Sequence, residues 1–245
     1  MAVTICTMTV CYVMVNRNRN VAIMGVSETL GIPLISNFIR KGWDVFISSR
    51  NGNKLESIAS SLKHMGNVYF LAGDLASKED TSRIINKVMD SLGSIDCLVI
   101  QVGGYGEDNI DEPNQLSPML TSHVNIPVNV SSTALRFMKP GSSIILFSSV
   151  ETFRYPDPKK LSYSLAKSAL NSITMSMAAY LLKKGIRVNA VAPYSIGGSA
   201  DDYVLGGPRD PPELISNAVT WLADSESLLV DGVVLPVDGG TRLRH

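Results

Sequence analysis

Two side chains with acid/base chemistry, Tyr163 and Lys167, lie four residues apart in the segment YSLAKSALNSITMSMAAYLLKK. In a helix, residues with this spacing lie on the same face, about one turn apart. A lysine ammonium beside a phenol favours the phenolate and lowers the pKa of the tyrosine from its ordinary value of about 10. The spacing therefore predicts a tyrosine that acts as a general acid or base.

Ser149 ends the apolar run SIILFSS, which precedes this helix and has the composition of a buried strand. A hydroxyl at the end of a neighbouring strand can hold a carbonyl or alcohol oxygen beside the tyrosine. Tyr-x-x-x-Lys is common on helices and means little alone. Its combination with a strand-terminal serine, in this order, predicts proton transfer to or from such an oxygen.

The chain after residue 20 alternates short apolar runs with longer amphipathic ones, as in VAIMG, DVFISS and IRVNAVAP against KLESIASSLKHMG. Continuous apolar strands separated by helical patterns indicate a parallel sheet covered on both faces. We therefore predict one doubly wound α/β domain over residues 21–245, with about seven strands and helices on both faces. Residues 1–20 are predicted to be an N-terminal arm or a start-site extension, with Met14 as the alternative beginning.

The first strand-to-helix connection reads MGVSETLG, with glycine at Gly25 and Gly31 and Thr29 in place of a middle glycine. We expect a helix from Thr29 onward, with Pro33 tolerated in its first turn. The N-terminus of this helix supplies amide donors and a positive dipole end to a diphosphate. The glycine spacing alone is a weak signal, and an ordinary strand-to-helix turn also explains it. Its position in the first βα unit favours a dinucleotide site.

Ser49 and Arg50 follow the second strand, where an adenosine ribose lies in folds of this class. An acidic residue there would bind a ribose 2′-hydroxyl, whereas a hydroxyl and a guanidinium can pair with a 2′-phosphate. NADP(H) is therefore predicted to be preferred, with NAD(H) possible. Glu28, in the phosphate loop, argues against a 2′-phosphate.

Together these motifs resemble the short-chain dehydrogenase/reductase family over about residues 21–240. The resemblance implies a Rossmann-type fold and an NAD(P)-dependent oxidoreductase that interconverts carbonyls and alcohols. It implies that Tyr163 is the catalytic tyrosine and that Lys167 lowers its pKa and binds the nicotinamide ribose. Ser149 matches the substrate-orienting serine. Asn125 matches the residue whose helix backbone anchors a water leading to the lysine.

The resemblance also implies where the dinucleotide binds. Asp74 matches the acid that contacts the adenine amino group, and Ile196 offers backbone contacts near the nicotinamide amide. The segment DGVVLPVDGG is similar to the family's C-terminal strand, which helps to form a homotetramer. The cofactor-binding residues predicted from the loop and the resemblance are Gly25, Ser27, Thr29, Leu30, Gly31, Ser49, Arg50, Asp74, Leu75, Val102, Gly103, Tyr163, Lys167, Pro193 and Ile196.

Several positions depart from the family pattern: Thr29, Gln101 in place of an asparagine, and Tyr194 in place of a glycine. Only 18 residues separate Pro193 from Pro212, where the family usually has a helical lid over substrate. A shortened lid predicts an open pocket, a bulky or carrier-bound substrate, or weak catalysis. The alternative function is an NADP(H)-binding protein with little turnover, a redox sensor or scaffold.

The amino-acid composition limits which classes of protein and of binding partner are possible. Hydrophobic residues make up 45% of the 245 residues, which excludes a disordered chain. The 22 basic residues balance the 22 acidic ones, so the chain has no net charge that would attract nucleic acid or acidic lipid. We expect a small-molecule partner and a homo-oligomer, dimer or tetramer. Three cysteines and three histidines at no metal-ligand spacing predict no disulfide framework and no metal site. The apolar stretch MAVTICTMTVCYVMV lacks a basic n-region and a cleavage site, so a cytoplasmic protein is predicted.

Overall fold

The computed structural model describes residues 19–244, which form one seven-stranded sheet with helices on both faces. The strand order is β3-β2-β1-β4-β5-β6-β7, and every neighbouring pair is parallel. The strands are β1 Arg19–Met24, β2 Trp43–Ser49, β3 Val68–Ala72, β4 Ile95–Ile100, β5 Met138–Phe147, β6 Arg187–Ala192 and β7 Val234–Pro236. The helices are α1 Glu28–Arg40, α2 Gly52–Leu62, α3 Lys78–Leu92, α4 Leu116–Leu120, α5 Ile126–Ala134, α6 Leu161–Leu181 and α7 Pro212–Ala223. The predicted doubly wound α/β fold is confirmed.

Two apolar layers enclose the sheet, because successive strand side chains point to opposite faces. In β1, Ala22 and Met24 join a cluster with residues of α3, α5 and α6. Val21 and Ile23 join a second cluster with residues of α1, α2 and α7. All four side chains are fully buried. Burial on both faces explains why the strands read as continuous apolar runs rather than as alternating ones.

The described chain begins two residues before the predicted domain start. β1 starts at Arg19, whose guanidinium bonds Asp224 at 3.0 Å, so this residue is part of the fold rather than of the predicted arm. The alternative start Met14, Cys6 and Cys11 lie outside the described residues. Within them, no helix is long and apolar enough to cross a membrane.

Helix α1 begins earlier than expected, and this changes the position of Pro33. Ser27 caps the helix and accepts a hydrogen bond from the Leu30 amide, so the first helical residue is Glu28. Pro33 therefore lies in the second turn, not in the first turn that the sequence suggested. It has no N–H to donate to the Thr29 carbonyl four residues earlier. Packing of Leu34, Ile35 and Phe38 in the core holds the helix despite that loss.

The strand order reverses direction at β1, which pairs with β2 on one side and β4 on the other. Helices that leave these strands in opposite directions open a crevice at the carboxyl edge of the sheet. Gly25 follows β1 and Gln101 follows β4 at this point. Ligands of doubly wound sheets bind in such crevices, so the fold directs attention to this edge.

Candidate active site

Helix α6 carries Tyr163 and Lys167 in its first two turns, as the spacing predicted. Lys167 is only 4% exposed, and its Nζ donates a hydrogen bond to the Phe147 carbonyl at 2.7 Å. The same Nζ lies 5.7 Å from the centroid of the Tyr163 ring. Burial disfavours the ammonium and lowers the pKa of Lys167 to about 7.

The pKa of Tyr163 is shifted in the direction opposite to the expected one. Burial of the phenol raises it, and the nearby Glu151 carboxylate raises it further. A hydrogen bond with Ser149 and the charge of Lys160 act against this shift without reversing it. Lys167 is not among the groups that shift the pKa of Tyr163 in this arrangement. Tyr163 is therefore held in its protonated form.

Ser149 follows β5 and caps a short 3-10 turn, Val150–Phe153. A side-chain network holds this corner: Asn171 Nδ2 donates to Thr152 Oγ1 at 2.9 Å, and Thr152 Oγ1 donates to the Ser149 carbonyl at 2.9 Å. Ser148 Oγ also bonds the Asn171 amide oxygen. Asn171, which the sequence reading missed, lies two turns after Tyr163 on the same helix and ties that helix to the serine.

Asp108 fixes the start of α6 and was also missed. Its carboxylate accepts hydrogen bonds from the Ser162 and Gln115 amides, both at 3.0 Å, and from the Ser162 hydroxyl. Burial raises the pKa of Asp108, but these hydrogen bonds outweigh it and lower the pKa below its usual value. An ionised Asp108 therefore clamps the helix one residue before Tyr163.

The side chain of Asn125 does not face Tyr163. Asn125 is the last residue of a π-helical turn, Thr121–Asn125, its side chain is exposed, and it lines a cavity with Val128 and Asn129. The role expected of its backbone stays a prediction. His123 lies inside instead, 1% exposed, with its ring 5.7 Å from the Tyr163 ring in an edge-on contact. Residues two apart on a helix point to nearly opposite sides, so only one of the two can face α6.

Two adjoining cavities form a groove along the carboxyl edge of the sheet. The first, about 290 Å³, is lined at one end by Ser49, Arg50, Asp74 and Leu75. The second, about 360 Å³, is lined by predicted site residues that include Ser27, Tyr163, Lys167, Pro193 and Ile196. Gly25, Val26, Val102 and Gly103 line both cavities, so the groove is continuous. Its ends match the two halves of a dinucleotide.

Not every residue of the phosphate loop faces this groove. In the described structure, Thr29, Leu30 and Gly31 line neither cavity. Leu30 is fully buried in the core, and a Cβ at Gly31 would lie 2.5 Å from Val26 Cγ1, so both serve helix packing. Thr29 is exposed in the first turn of α1. Its role in binding stays a prediction.

Gln101 connects the phosphate loop to β4. Its Nε2 donates to Ser27 Oγ at 2.6 Å, and its Oε1 is buried with no hydrogen-bond partner among the described residues. A buried acceptor of this kind is satisfied when a ligand brings a donor. Gly25 also brings the phosphate loop close to the end of β4. Its φ is positive, 82°, and it has no Cβ, so the loop can approach Val102. The groove thus fits a bound dinucleotide.

The segment over the site is short, as predicted: residues 193–211 of the described chain contain no helix. Asp210 holds this segment in place. Its carboxylate accepts from the Tyr194 and Ser195 amides at 2.5 and 3.2 Å, and its backbone pairs with Ile196 in an isolated bridge. No cluster of three metal-ligating side chains occurs among the residues described.

Comparison with known proteins indicates a dehydrogenase, in agreement with the dinucleotide-sized groove and the Tyr163–Lys167 pair. The family model described as short chain dehydrogenase matches residues 19–202. Among curated proteins, the 3alpha-hydroxysteroid dehydrogenase of Mediterraneibacter gnavus is 28% identical, over 94% of this chain and 99% of that protein. Glucose 1-dehydrogenase of Gluconobacter oxydans is 28% identical, over 92% of each. The 7alpha-hydroxysteroid dehydrogenase of Clostridium sardiniense is 29% identical, over 89% of this chain and 91% of that protein.

Solved structures agree. The short-chain dehydrogenase/reductase from Serratia marcescens superposes with a TM-score of 0.84 at 25% identity, covering 91% of this chain and 98% of that one. The family match spans β1 through β6 and includes the strand-terminal serine and the Tyr163–Lys167 pair. The chain therefore belongs to the short-chain dehydrogenase family and is an NAD(P)-dependent oxidoreductase that acts on alcohol and carbonyl groups.

Proposed function

We propose that this protein interconverts a ketone and a secondary alcohol with NADP(H) and that Tyr163 is its general acid/base. One observation carries the proposal: Tyr163 and Lys167 line one end of a continuous groove whose other end is lined by Arg50 and Asp74. A reactive group and a nucleotide-recognition group at opposite ends of one groove are what hydride transfer requires.

The roles of the residues follow from their positions. When bound, the nicotinamide gives a hydride to the carbonyl carbon or takes one from the alcohol carbon. In reduction, the Tyr163 hydroxyl gives its proton to the carbonyl oxygen, and Ser149 Oγ holds that oxygen by a hydrogen bond. Lys167, fixed by the Phe147 carbonyl, keeps a donor beside the tyrosine. In oxidation the same proton moves in the opposite direction.

Charge at the adenosine end supports NADP(H) over NAD(H). Arg50 is exposed and makes no ion pair among the described residues, so its guanidinium is available for a 2′-phosphate. Glu28, which argued against this preference, is paired with Lys54 at 2.9 Å between Nζ and Oε1. This pairing reduces the repulsion of a phosphate by Glu28.

The mouth of the site supports a bulky cyclic substrate. Tyr105 is 56% exposed and packs edge-on against Tyr163, with ring centroids 5.2 Å apart. Phe153 is 45% exposed, and the Tyr194 ring is covered by Arg154 at 5.1 Å. Aromatic faces beside a short lid can bind a rigid apolar ring. The hydroxysteroid dehydrogenases among the relatives favour the same class.

We further propose a cytoplasmic homo-oligomer, a dimer or a homotetramer. The cytoplasmic assignment rests on the sequence, whose three cysteines do not indicate a disulfide framework. Helix α6 leaves apolar side chains exposed, among them Leu165 at 46% and Met175 at 55%, and a second copy would cover such a face. Light scattering after gel filtration measures the assembly directly.

The central test compares Tyr163→Phe with Tyr180→Phe, which removes a hydroxyl from an exposed position on the same helix. Both proteins are assayed with NADPH against a panel of cyclic ketones and sugars, and NADPH binding is followed by fluorescence. We expect Tyr163→Phe to lose at least about 100-fold in kcat while binding NADPH normally, because general acid catalysis contributes this much. Full turnover by Tyr163→Phe would refute the assignment. NADPH binding without turnover in the wild type would instead support the sensor or scaffold.

A further inference from the structure

His123 is a buried polar residue of the site, and one of its ring nitrogens has no hydrogen-bond partner among the described residues. It lies in the π-helical turn before α5 and lines the same cavity as Tyr163 and Lys167. Its Nε2 is 3.0 Å from the Gly104 carbonyl oxygen, and its Nδ1 is buried with no hydrogen-bond partner among the described residues. A buried nitrogen without a partner costs stability, so its retention calls for a function.

The contact with Gly104 determines the form of the ring. A carbonyl oxygen only accepts, so Nε2 carries the hydrogen and Nδ1 of the neutral ring has a free lone pair. Burial and, to a smaller extent, the charge of Lys167 together lower the pKa of His123 to about 4. The ring is therefore neutral at physiological pH, with Nδ1 as an acceptor.

We propose that His123 is a positioning residue of the acid/base site: Nε2–H anchors the ring to Gly104, and Nδ1 accepts a hydrogen bond from Lys167 Nζ through one bridging water. The His123 ring also makes an edge-on contact with the Tyr163 ring, 5.7 Å between centroids, so this arrangement links one side chain to both members of the pair. Nζ has hydrogens to spare, since the Phe147 carbonyl accepts only one. His123 thus holds Lys167 beside the tyrosine.

The inference rests on the proposed function. Two substitutions test it, and each keeps one of the ring's two contacts and removes the other. In His123→Asn the amide oxygen can take the position of Nδ1, whereas the contact with Gly104 is lost. In His123→Gln the amide nitrogen can keep the contact with Gly104, whereas the acceptor toward Lys167 is lost. We expect His123→Asn to keep kcat within about 3-fold and His123→Gln to lose about 10- to 100-fold, the range for a hydrogen bond to a charged group. Equal kcat values for the two variants would overturn the proposal.

A second measurement on the wild-type protein needs no turnover. Nitrogen-15 spectra of histidine-labelled protein distinguish a protonated from an unprotonated Nδ1, and loss of one signal set in His123→Asn assigns His123 among the three histidines. We expect an unprotonated Nδ1 that stays neutral at pH 5.5. A protonated Nδ1 at pH 7 would refute the positioning role. If Tyr163→Phe kept full activity while this spectrum was as expected, the proposed reaction would fail and the ring assignment would stand.

Discussion

Gly25 is where the phosphate loop and the end of β4 come closest, and an added methyl group there has a calculable cost. A Cβ at Gly25 would lie 2.5 Å from Val102 Cγ2 and 2.8 Å from the Val102 backbone nitrogen and Cα. The φ of Gly25 is also positive, 82°, where an L-residue is strained. Gly25→Ala therefore carries two penalties, a backbone one and a steric one.

Gly42 separates these two penalties. It has nearly the same φ, 77°, but an added Cβ there meets nothing within 4 Å. Gly42→Ala should lose about 1–2 kcal/mol of the free energy of unfolding, the cost of the left-handed conformation. Gly25→Ala should lose a further 1–3 kcal/mol, roughly, for overpacking against a neighbour whose backbone cannot give way easily.

Thermal unfolding of the two variants without ligand measures the difference. For a domain of this size about 1 kcal/mol corresponds to roughly 2–4 °C, so Gly25→Ala should unfold about 2–12 °C below Gly42→Ala. Because relief of the clash moves the loop or Val102, NADPH affinity should fall in Gly25→Ala and stay unchanged in Gly42→Ala. Equal unfolding temperatures and equal affinities would refute the idea that this close approach shapes the groove.

Two further predictions concern charge in the site. Arg50→Gln should weaken NADPH binding about 10-fold while NADH binding changes little, because the proposed role of the guanidinium is to pair with a 2′-phosphate that NADH lacks. Titration by fluorescence measures both affinities, and an equal loss for the two would contradict this role. The raised pKa of Tyr163 keeps the phenol protonated at neutral pH, so ionisation of this phenol should not slow ketone reduction between pH 6 and 9. Alcohol oxidation needs the phenolate and should rise with pH across that range, up to about tenfold per pH unit; a flat oxidation profile would exclude this ionisation.

The sequence was sufficient for the fold and for much of the site because both depend on local patterns. Apolar runs specify buried parallel strands, and a four-residue spacing on α6 brings Tyr163 and Lys167 together whatever surrounds the helix. The start of α1 was misjudged because the Ser27 cap, rather than Pro33, determines where that helix begins.

His123, Asn171 and Gln101 were missed as site residues for a different reason. The phase of the helix that bears His123 depends on the π-helical turn at Thr121–Asn125, which has no clear sequence signal. Asn171 and Gln101 act through partners, Thr152 and Ser27, that are distant in sequence and adjacent only in the folded sheet. Long-range hydrogen bonds of this kind are visible only once the strand order is known.

Burial shifts the pKa values of the two members of the acid/base pair in opposite directions. These shifts determine which proton transfer the ligand-free site favours. Burial lowers the pKa of Lys167 to about 7 and raises that of Tyr163, so both groups are driven toward their uncharged forms. An uncharged tyrosine carries the proton that a carbonyl oxygen needs, whereas alcohol oxidation must first create a phenolate in an apolar pocket. Without ligands Tyr163 thus carries the proton that reduction needs, and alkaline pH or added positive charge beside Tyr163 favours the phenolate that oxidation needs. A water-bridged hydrogen bond from Lys167 Nζ to His123 would favour the ammonium and supply part of that charge.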